Sequence, residues 1–293
     1  MQQGKTDLDN TETLDRRLNA WRPDLADLRL KGKVEAKRFA AGQPARIIQP
    51  SADVVRHPAA DAPLDTQLLR GDIVDVFERH EGWAWVQNRR DRYVGYVADE
   101  ALGSVEPAPT NRICVPRTFL YPGPDMKLPR SGVLSLGSLV TMGREQEVRG
   151  TRYVVLTTGD AIIANHAKPV GKEQGDFVAI AETLRRTPYL WGGATAFGID
   201  CSGLVQLAMF MTGRIVPRDS DMQAQTLGQI LDDDALLQRG DLVFWKGHVA
   251  IMRDDKTLIH ANGATMDVAV EPLADAIARI EPFYGRPTVR RRP

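Results

Sequence analysis

The chain has two cysteines in 293 residues, so a disulfide framework is out of reach. Its charge leans neither way: Lys+Arg and Asp+Glu both number 38. That balance gives no footing for a nucleic-acid partner or for electrostatic attachment to a membrane. No apolar run approaches the roughly 20 residues that span a bilayer. The opening stretch, "MQQGKTDLDNTETLDRRLNAW", is polar and lacks the apolar centre of a secretion signal. The expected compartment is the cytoplasm, where thiols stay reduced. Histidine is scarce as well, with five in the chain. What remains is ordinary: 43% hydrophobic and 26% charged residues describe a globular chain of about two domains, or more if some are small β units.

Residues 1–40 read as an N-terminal arm. Leu14, Leu18, Trp21, Leu25 and Leu28 recur at near-helical spacing and predict a helix over about 12–30, broken or restarted at Pro23. Residues 41–106 change to short strands between turns: Ile73, Val74 and Val76, then "GWAWVQ", then "RYVGYVA". In "GWAWVQ", Trp83 and Trp85 fall on one face and Ala84 and Val86 on the other. Such closely spaced strands predict a small barrel. After the linker "VEPAPT", residues 107–170 repeat that rhythm more weakly and predict a second barrel. Residues 171–293 begin with two helical stretches, "DFVAIAETLRRT" and "CSGLVQLAMFMTGR", the second closed by Gly213. Apolar strands "DLVFWKG", "HVAIMRD" and "TLIHANG" follow, then a helix in "EPLADAIARI", which makes this unit α+β. The terminal "VRRRP" reads as a solvated tail.

Chemistry concentrates at "GIDCSGLVQLAMF". A cysteine on a helix is commonly an inert small hydrophobe. Cys201, however, sits where the first helical N–H groups are unpaired and the dipole is positive, which favours the thiolate. His248 and His260 lie on the two strands of "GHVAIMRDDKTLIHANG". A three-residue turn at Arg253–Asp255 puts Met252 opposite Lys256 and His248 opposite His260. Any odd-length turn keeps both imidazoles on one face, where one serves as base for Cys201 and the other orients it. The alternatives are a solvated or core histidine pair, and a zinc site of Cys201, His248 and His260. The chain lacks the paired ligand spacings common at zinc sites. Cys114 has no histidine motif nearby and reads as a buried structural thiol.

The stretch "TPYLWGGATAFGIDCSGLVQ", followed by "PRDSDMQAQ", "LQRGDLVFWKG" and "HVAIMRDDKTLIHANG", resembles the NlpC-type cysteine peptidases of bacterial cell walls. These have a papain-like fold, and the likeness covers nearly the whole C-terminal unit. "RGDIVDVFERHEGWAWVQ" and "DRYVGYV" resemble bacterial SH3 domains. The expected architecture is thus α+β, a papain-like catalytic domain behind two SH3-like β-barrels. The resemblance implies Cys201 as nucleophile, His248 as general base and His260 as the orienting third residue, with Asn262 the other candidate for that place. It implies an oxyanion donor in the Cys201 N–H and a substrate or oxyanion contact in Tyr189.

Several relatives cleave murein stem peptides between γ-D-glutamate and a diamino acid, and one subgroup takes short peptides with a free N-terminal L-Ala during murein recycling. For this chain the resemblance implies Asp200, with Ser202, as amine-binding residues, and Asp72, Tyr93 and Ser220 as further substrate contacts. Asp219 and Ser220 are equally reasonable helix N-caps. The expected partner is a murein peptide, with no nucleic acid, membrane, metal or cofactor. Two other readings stay open: a murein-binding protein with an inactive hydrolase domain, and an amidase or acyltransferase of the same superfamily.

Overall fold

The computed structural model describes residues 14–172 and 175–293. Residues 1–13 of the expected arm lie outside the described residues. From residue 14 onward the predicted helix is absent. Leu25–Asp27 is instead a strand paired in parallel with Arg38–Ala40, and Leu28–Leu30 makes one 3-10 turn. Ala20 and Leu25 bury against Phe77 and Trp85, while Leu28 stays exposed. The spaced apolar residues therefore meet a sheet surface, and tertiary packing overrides the helical period.

That surface belongs to a seven-stranded sheet. Its strands run in the spatial order 64–69, 51–55, 94–98, 83–88, 73–80, 43–47 and 102–103. Alternation decides what each face touches. Ala84 and Val86 point inward to a core with Val54, Leu68, Val74 and Val97, and Trp85 points outward to the arm. Residues 111–169 form three smaller sheets around a separate core of Ile113, Leu134, Val154 and Ile162.

The C-terminal unit has four helices, α1 (Phe177–Thr183), α2 (Cys201–Phe210), α3 (Ser220–Thr226) and α4 (Leu273–Tyr284). Its main sheet has six strands: β1 (Gln229–Ile230), β2 (Leu242–Trp245), β3 (His248–Met252), β4 (Thr257–Asn262), β5 (Asp267–Pro272) and β6 (Val289–Arg292), in the order β1-β6-β2-β3-β4-β5. This is the α+β architecture expected. Helix α2 packs on β3 and β4, and Cys201 through Met209 are all buried. A helix apolar all round is a core helix.

The terminal residues correct the sequence reading. "VRRRP" is no solvated tail: β6 lies between β1 and β2 in the sheet. Arg291 is buried and donates to the carbonyls of Gln225, Leu227 and Gly228 at 2.8, 3.2 and 3.1 Å. It thereby satisfies the orphan acceptors at the end of α3, where a cation also suits the dipole. Charge alone misled here, because an arginine stem can cross a packed layer and deliver its head to carbonyls.

Both β units pack onto the catalytic unit, since Leu69 and Leu136 belong to the core around α2. They also pack on each other. Gly71 holds φ at 91°, and an added Cβ would overlap Leu139 of the second unit. Gly82 has a similar φ of 81° with open space around it. Gly71→Ala should therefore cost more than Gly82→Ala, by about 1–3 kcal/mol of overpacking. Chemical denaturation of the two variants checks this, and equal losses would mean the contact between units carries no strain.

Candidate active site

Helix α2 starts at Cys201 because Asp200 caps it. The Asp200 Oδ1 accepts from the Gly203 N–H at 2.7 Å. Its Oδ2 accepts from the Gly192 N–H at 3.0 Å, which ties the "WGG" loop to the helix start. Arg218 then grips both oxygens, Nη1 to Oδ1 at 3.0 Å and Nη2 to Oδ2 at 2.7 Å. It also donates to Ser202 Oγ at 2.9 Å and to Thr66 Oγ1 of the first β unit at 2.6 Å. Arg218 is 1% exposed and its guanidinium stays charged. The pair is buried, bidentate and fully hydrogen-bonded, the condition under which such a pair is tolerated.

Cys201 lies at 6% exposure, with the Val249 and Ser202 backbone N–H groups against its sulfur. Its own N–H, first in α2, has no intrahelical acceptor and is free for an oxyanion. Those donors support a thiolate, as the sequence suggests. Burial, and then the nearby Asp200 carboxylate, outweigh them and push the thiol up to about 12. Burial likewise pushes the His248 imidazole down to about 3, aided by His260 and Arg279. Burial thus opposes the thiolate that the helix position favours.

His248 and His260 do meet, with His248 Nε2 2.8 Å from His260 Nδ1. The hairpin register differs from the expected one. Ile251 faces Ile259 and Met252 faces Leu258, so the turn centres on 254–256. Asp254 fixes it by accepting from the N–H groups of Lys256 and Thr257 at 2.8 and 2.7 Å. The shift is two residues, an even number, so both rings keep one face. Because their nitrogens face each other, they do not converge on a third point. Asn262 lines the cavity beside His248, but its amide is engaged by its own turn, the nitrogen bonded to Thr265 Oγ1 at 2.9 Å and the oxygen accepting from the Ala264 and Thr265 N–H groups.

A further member of this chain escaped the sequence reading. Glu271 Oε1 lies 2.7 Å from His260 Nε2, off the ring N–H direction yet within ion-pair range. Burial raises the Glu271 carboxyl, but bonds from His260 and Arg279 outweigh that and hold it below its usual value. An ionised Glu271 favours the proton on His260 Nε2, so His260 Nδ1 accepts from His248 Nε2–H. That leaves His248 Nδ1 as the nitrogen able to take a proton. The signal was available only from strand register: β5 puts Ala269 opposite His260, and Glu271 is two residues on, on the same face.

A cavity of about 250 Å³ opens over Cys201. Tyr93, Tyr189, Ser202 and Ser220 line it, as the sequence suggests. Asp200 lines it too, but its oxygens are taken as described, so it is a poor partner for a substrate amine. Asp72 is not brought there. It is buried in the first unit, accepting from the Leu69 N–H at 2.9 Å and paired with Arg90 at 3.1 Å. In its place the first unit contributes Asp65 and Arg56 to the cavity wall. Asp219, at the N-cap position of α3, makes no capping bond with its side chain. It faces the cavity, accepting from the Tyr93 hydroxyl at 3.2 Å and from Arg17 of the arm at 2.8 Å. Cys114 is half-buried in the second unit, with burial raising its thiol.

Residues 186–280 match the NlpC/P60 family, and residues 54–102 match the bacterial dipeptidyl-peptidase SH3 domain. The chain carries an NlpC/P60 domain behind a bacterial SH3 domain. Dipeptidyl-peptidase 6 of Lysinibacillus sphaericus is 27% identical over 249 residues, 78% of this chain and 90% of that protein. The gamma-D-glutamyl-L-lysine dipeptidyl-peptidase of Bacillus subtilis strain 168 is 27% identical over 240 residues, 74% of this chain and 78% of that protein. The crystal structure of an NlpC/P60 family protein from Bacillus cereus ATCC 10987 shares the fold, with a TM-score of 0.71 at 23% identity over 85% of this chain and 99% of that one. The NlpC/P60 domain is a peptidase domain.

With His248 as the base that the sequence leads one to expect, kcat/KM should stay level as pH falls through 6.5 and drop only toward pH 3. The Glu271 charge raises the His248 value, so Glu271→Gln should move this acid limb lower still. It should also cut kcat about tenfold, a barrier change of ~1.4 kcal/mol, through loss of the favoured tautomer. A pH–rate profile with circular dichroism as the folding control checks both, and an unmoved limb and kcat would remove Glu271 from the chain.

Proposed function

We propose that the protein is a cysteine peptidase that cleaves the γ-D-glutamyl–diamino-acid bond of short murein stem peptides with a free N-terminal L-Ala, releasing L-Ala-γ-D-Glu. In this reading it works on recycled fragments in the cytoplasm. The observation that carries the reading is Cys201 at the start of α2, beneath a cavity whose far wall comes from the SH3 domain. On substrate binding, the Cys201 thiol gives its proton to His248 Nδ1 and the sulfur attacks the carbonyl carbon. The Cys201 N–H holds the oxyanion. Collapse breaks the C–N bond, and His248 returns the proton to the leaving amine. Water, deprotonated by His248, then hydrolyses the thioester and regenerates the thiol.

The wall that the SH3 domain adds to the cavity supports a short peptide with a free amine. Asp65 and Asp219 offer carboxylates there, and Arg17 already rests its guanidinium on Asp219. A site that holds one cation suits a substrate ammonium, bonded by carboxylate and the Tyr93 hydroxyl. The names of the two relatives agree with a dipeptide-releasing enzyme.

Cys201→Ala should abolish release of the diamino acid from L-Ala-γ-D-Glu-meso-diaminopimelate, followed by mass spectrometry. Retained hydrolysis would sink the nucleophile assignment. N-acetylation of the peptide should block cleavage by the native enzyme. Asp219→Asn should raise KM for the free peptide about tenfold, the worth of one charge-assisted hydrogen bond. Equal rates on free and acetylated peptide would remove the amine site.

A further inference from the structure

A second cavity, of about 550 Å³, adjoins the first. Tyr189, Trp191 and Gly247 line both, so the two are halves of one groove. Cys201 lines one half and His248 the other. The base that returns a proton to the leaving amine must face that amine, so the His248 half receives the leaving amino acid.

The halves differ in charge. The Cys201 half presents Asp65, Asp200, Asp219 and Asp221 against Arg17, Arg56 and Arg218. The His248 half presents Lys246 and Arg279, and no Asp or Glu lines it. Lys246 is exposed and makes no ion pair among the described residues. It is held at the rim by the tight turn Lys246–Gly247, which joins paired Trp245 and His248 with Gly247 at φ 75°. Its distance from the reacting centre is therefore set by the sheet rather than by a loose loop. Phe283 and Tyr284, both largely exposed, supply an apolar wall opposite.

We propose that this half of the groove is a leaving-group subsite that selects a diamino acid with a carboxylate on its side chain, such as meso-diaminopimelate, over lysine. The inference rests on the peptidase reading above and names its leaving group. Any leaving amino acid brings one α-carboxylate. Diaminopimelate brings a second beside its distal ammonium, whereas lysine ends in an ammonium alone, which Lys246 repels; the charge of Arg279 is already met by Glu271. The aromatic wall takes the methylene chain of either, so discrimination comes from charge.

The test is the ratio of kcat/KM for L-Ala-γ-D-Glu-meso-diaminopimelate to that for L-Ala-γ-D-Glu-L-Lys. A ratio taken within one variant cancels any effect on the catalytic pair. The native enzyme should favour the diaminopimelate peptide about fivefold or more, the scale of an exposed charge pair. Lys246→Met should bring the ratio toward one, and Lys246→Glu should lower it about tenfold. Lys246 lies in an exposed turn, so the folding core is not involved. Cleavage of both peptides at a ratio that Lys246→Glu leaves unmoved overturns the subsite and leaves the peptidase reading intact. Cleavage of neither peptide overturns the peptidase reading and the subsite with it.

Discussion

The site depends on one buried ion pair, Asp200 with Arg218. Four segments converge on it: the start of α2, the "WGG" loop through Gly192 and Gly193, the approach to α3, and, from far away in sequence, Thr66 of the SH3 domain. A buried pair of this kind contributes little net stability by itself, because desolvating both charges offsets their attraction. What it supplies is geometry. Both carboxylate oxygens and all three guanidinium nitrogens are bonded, so the helix start that presents the Cys201 sulfur has one position relative to the SH3 domain. Removing either partner would leave a naked charge at the centre of four segments.

The burial that makes this pair rigid also governs the chemistry. It raises the Cys201 thiol and lowers the His248 imidazole, and so opposes charge on either group. A resting thiol is less open to oxidation than a thiolate. In the proposed mechanism proton transfer is coupled to attack, at the moment the oxyanion forms beside the Cys201 N–H. For that transfer the tautomer of His248 matters more than its average charge, and the chain from His248 through His260 to Glu271 determines it. The buried end of that chain terminates in Glu271 and its partner Arg279, which is part of the second groove half. Catalysis and leaving-group binding thus share a residue.

The sequence revealed the site where local rules apply. A cysteine at a turn-to-helix boundary, and two histidines separated by an even number, are statements of period and parity, and both survive a two-residue error in register. Tertiary decisions were not legible. Asp200 was recognised as functional but given the amine, because its cap and its Arg218 partner become visible only when residues 192, 203 and 218 converge. Asp72 sits in a motif that predicts an acid near the site, yet its side chain turns to Leu69 and Arg90. Glu271 required the β4–β5 register. At the two ends, a helical spacing became a strand through packing on Trp85, and a basic tail became a sheet strand because Arg291 found the carbonyls closing α3.

The distribution of roles between domains has a physical reason. Every group proposed for proton transfer comes from the NlpC/P60 domain, on α2 and the β3–β4 strands, which share one core. Groups proposed to read the peptide's free end come from separate segments: Asp65 and Tyr93 from the SH3 domain, and Asp219 before α3. In the proposed function, the SH3 domain at the cavity wall supplies a stop that limits how much peptide precedes the scissile bond, without altering the sheet that aligns the histidines. Docking must be rigid to act as a stop, and the contacts that make it so reach the catalytic helix: Arg218 to Thr66, Gln206 to Asp91 at 2.9 Å, and Ala194 to Gln67 at 3.2 Å. In the proposed function, restriction to short peptides is thus a property of the interface between the two domains.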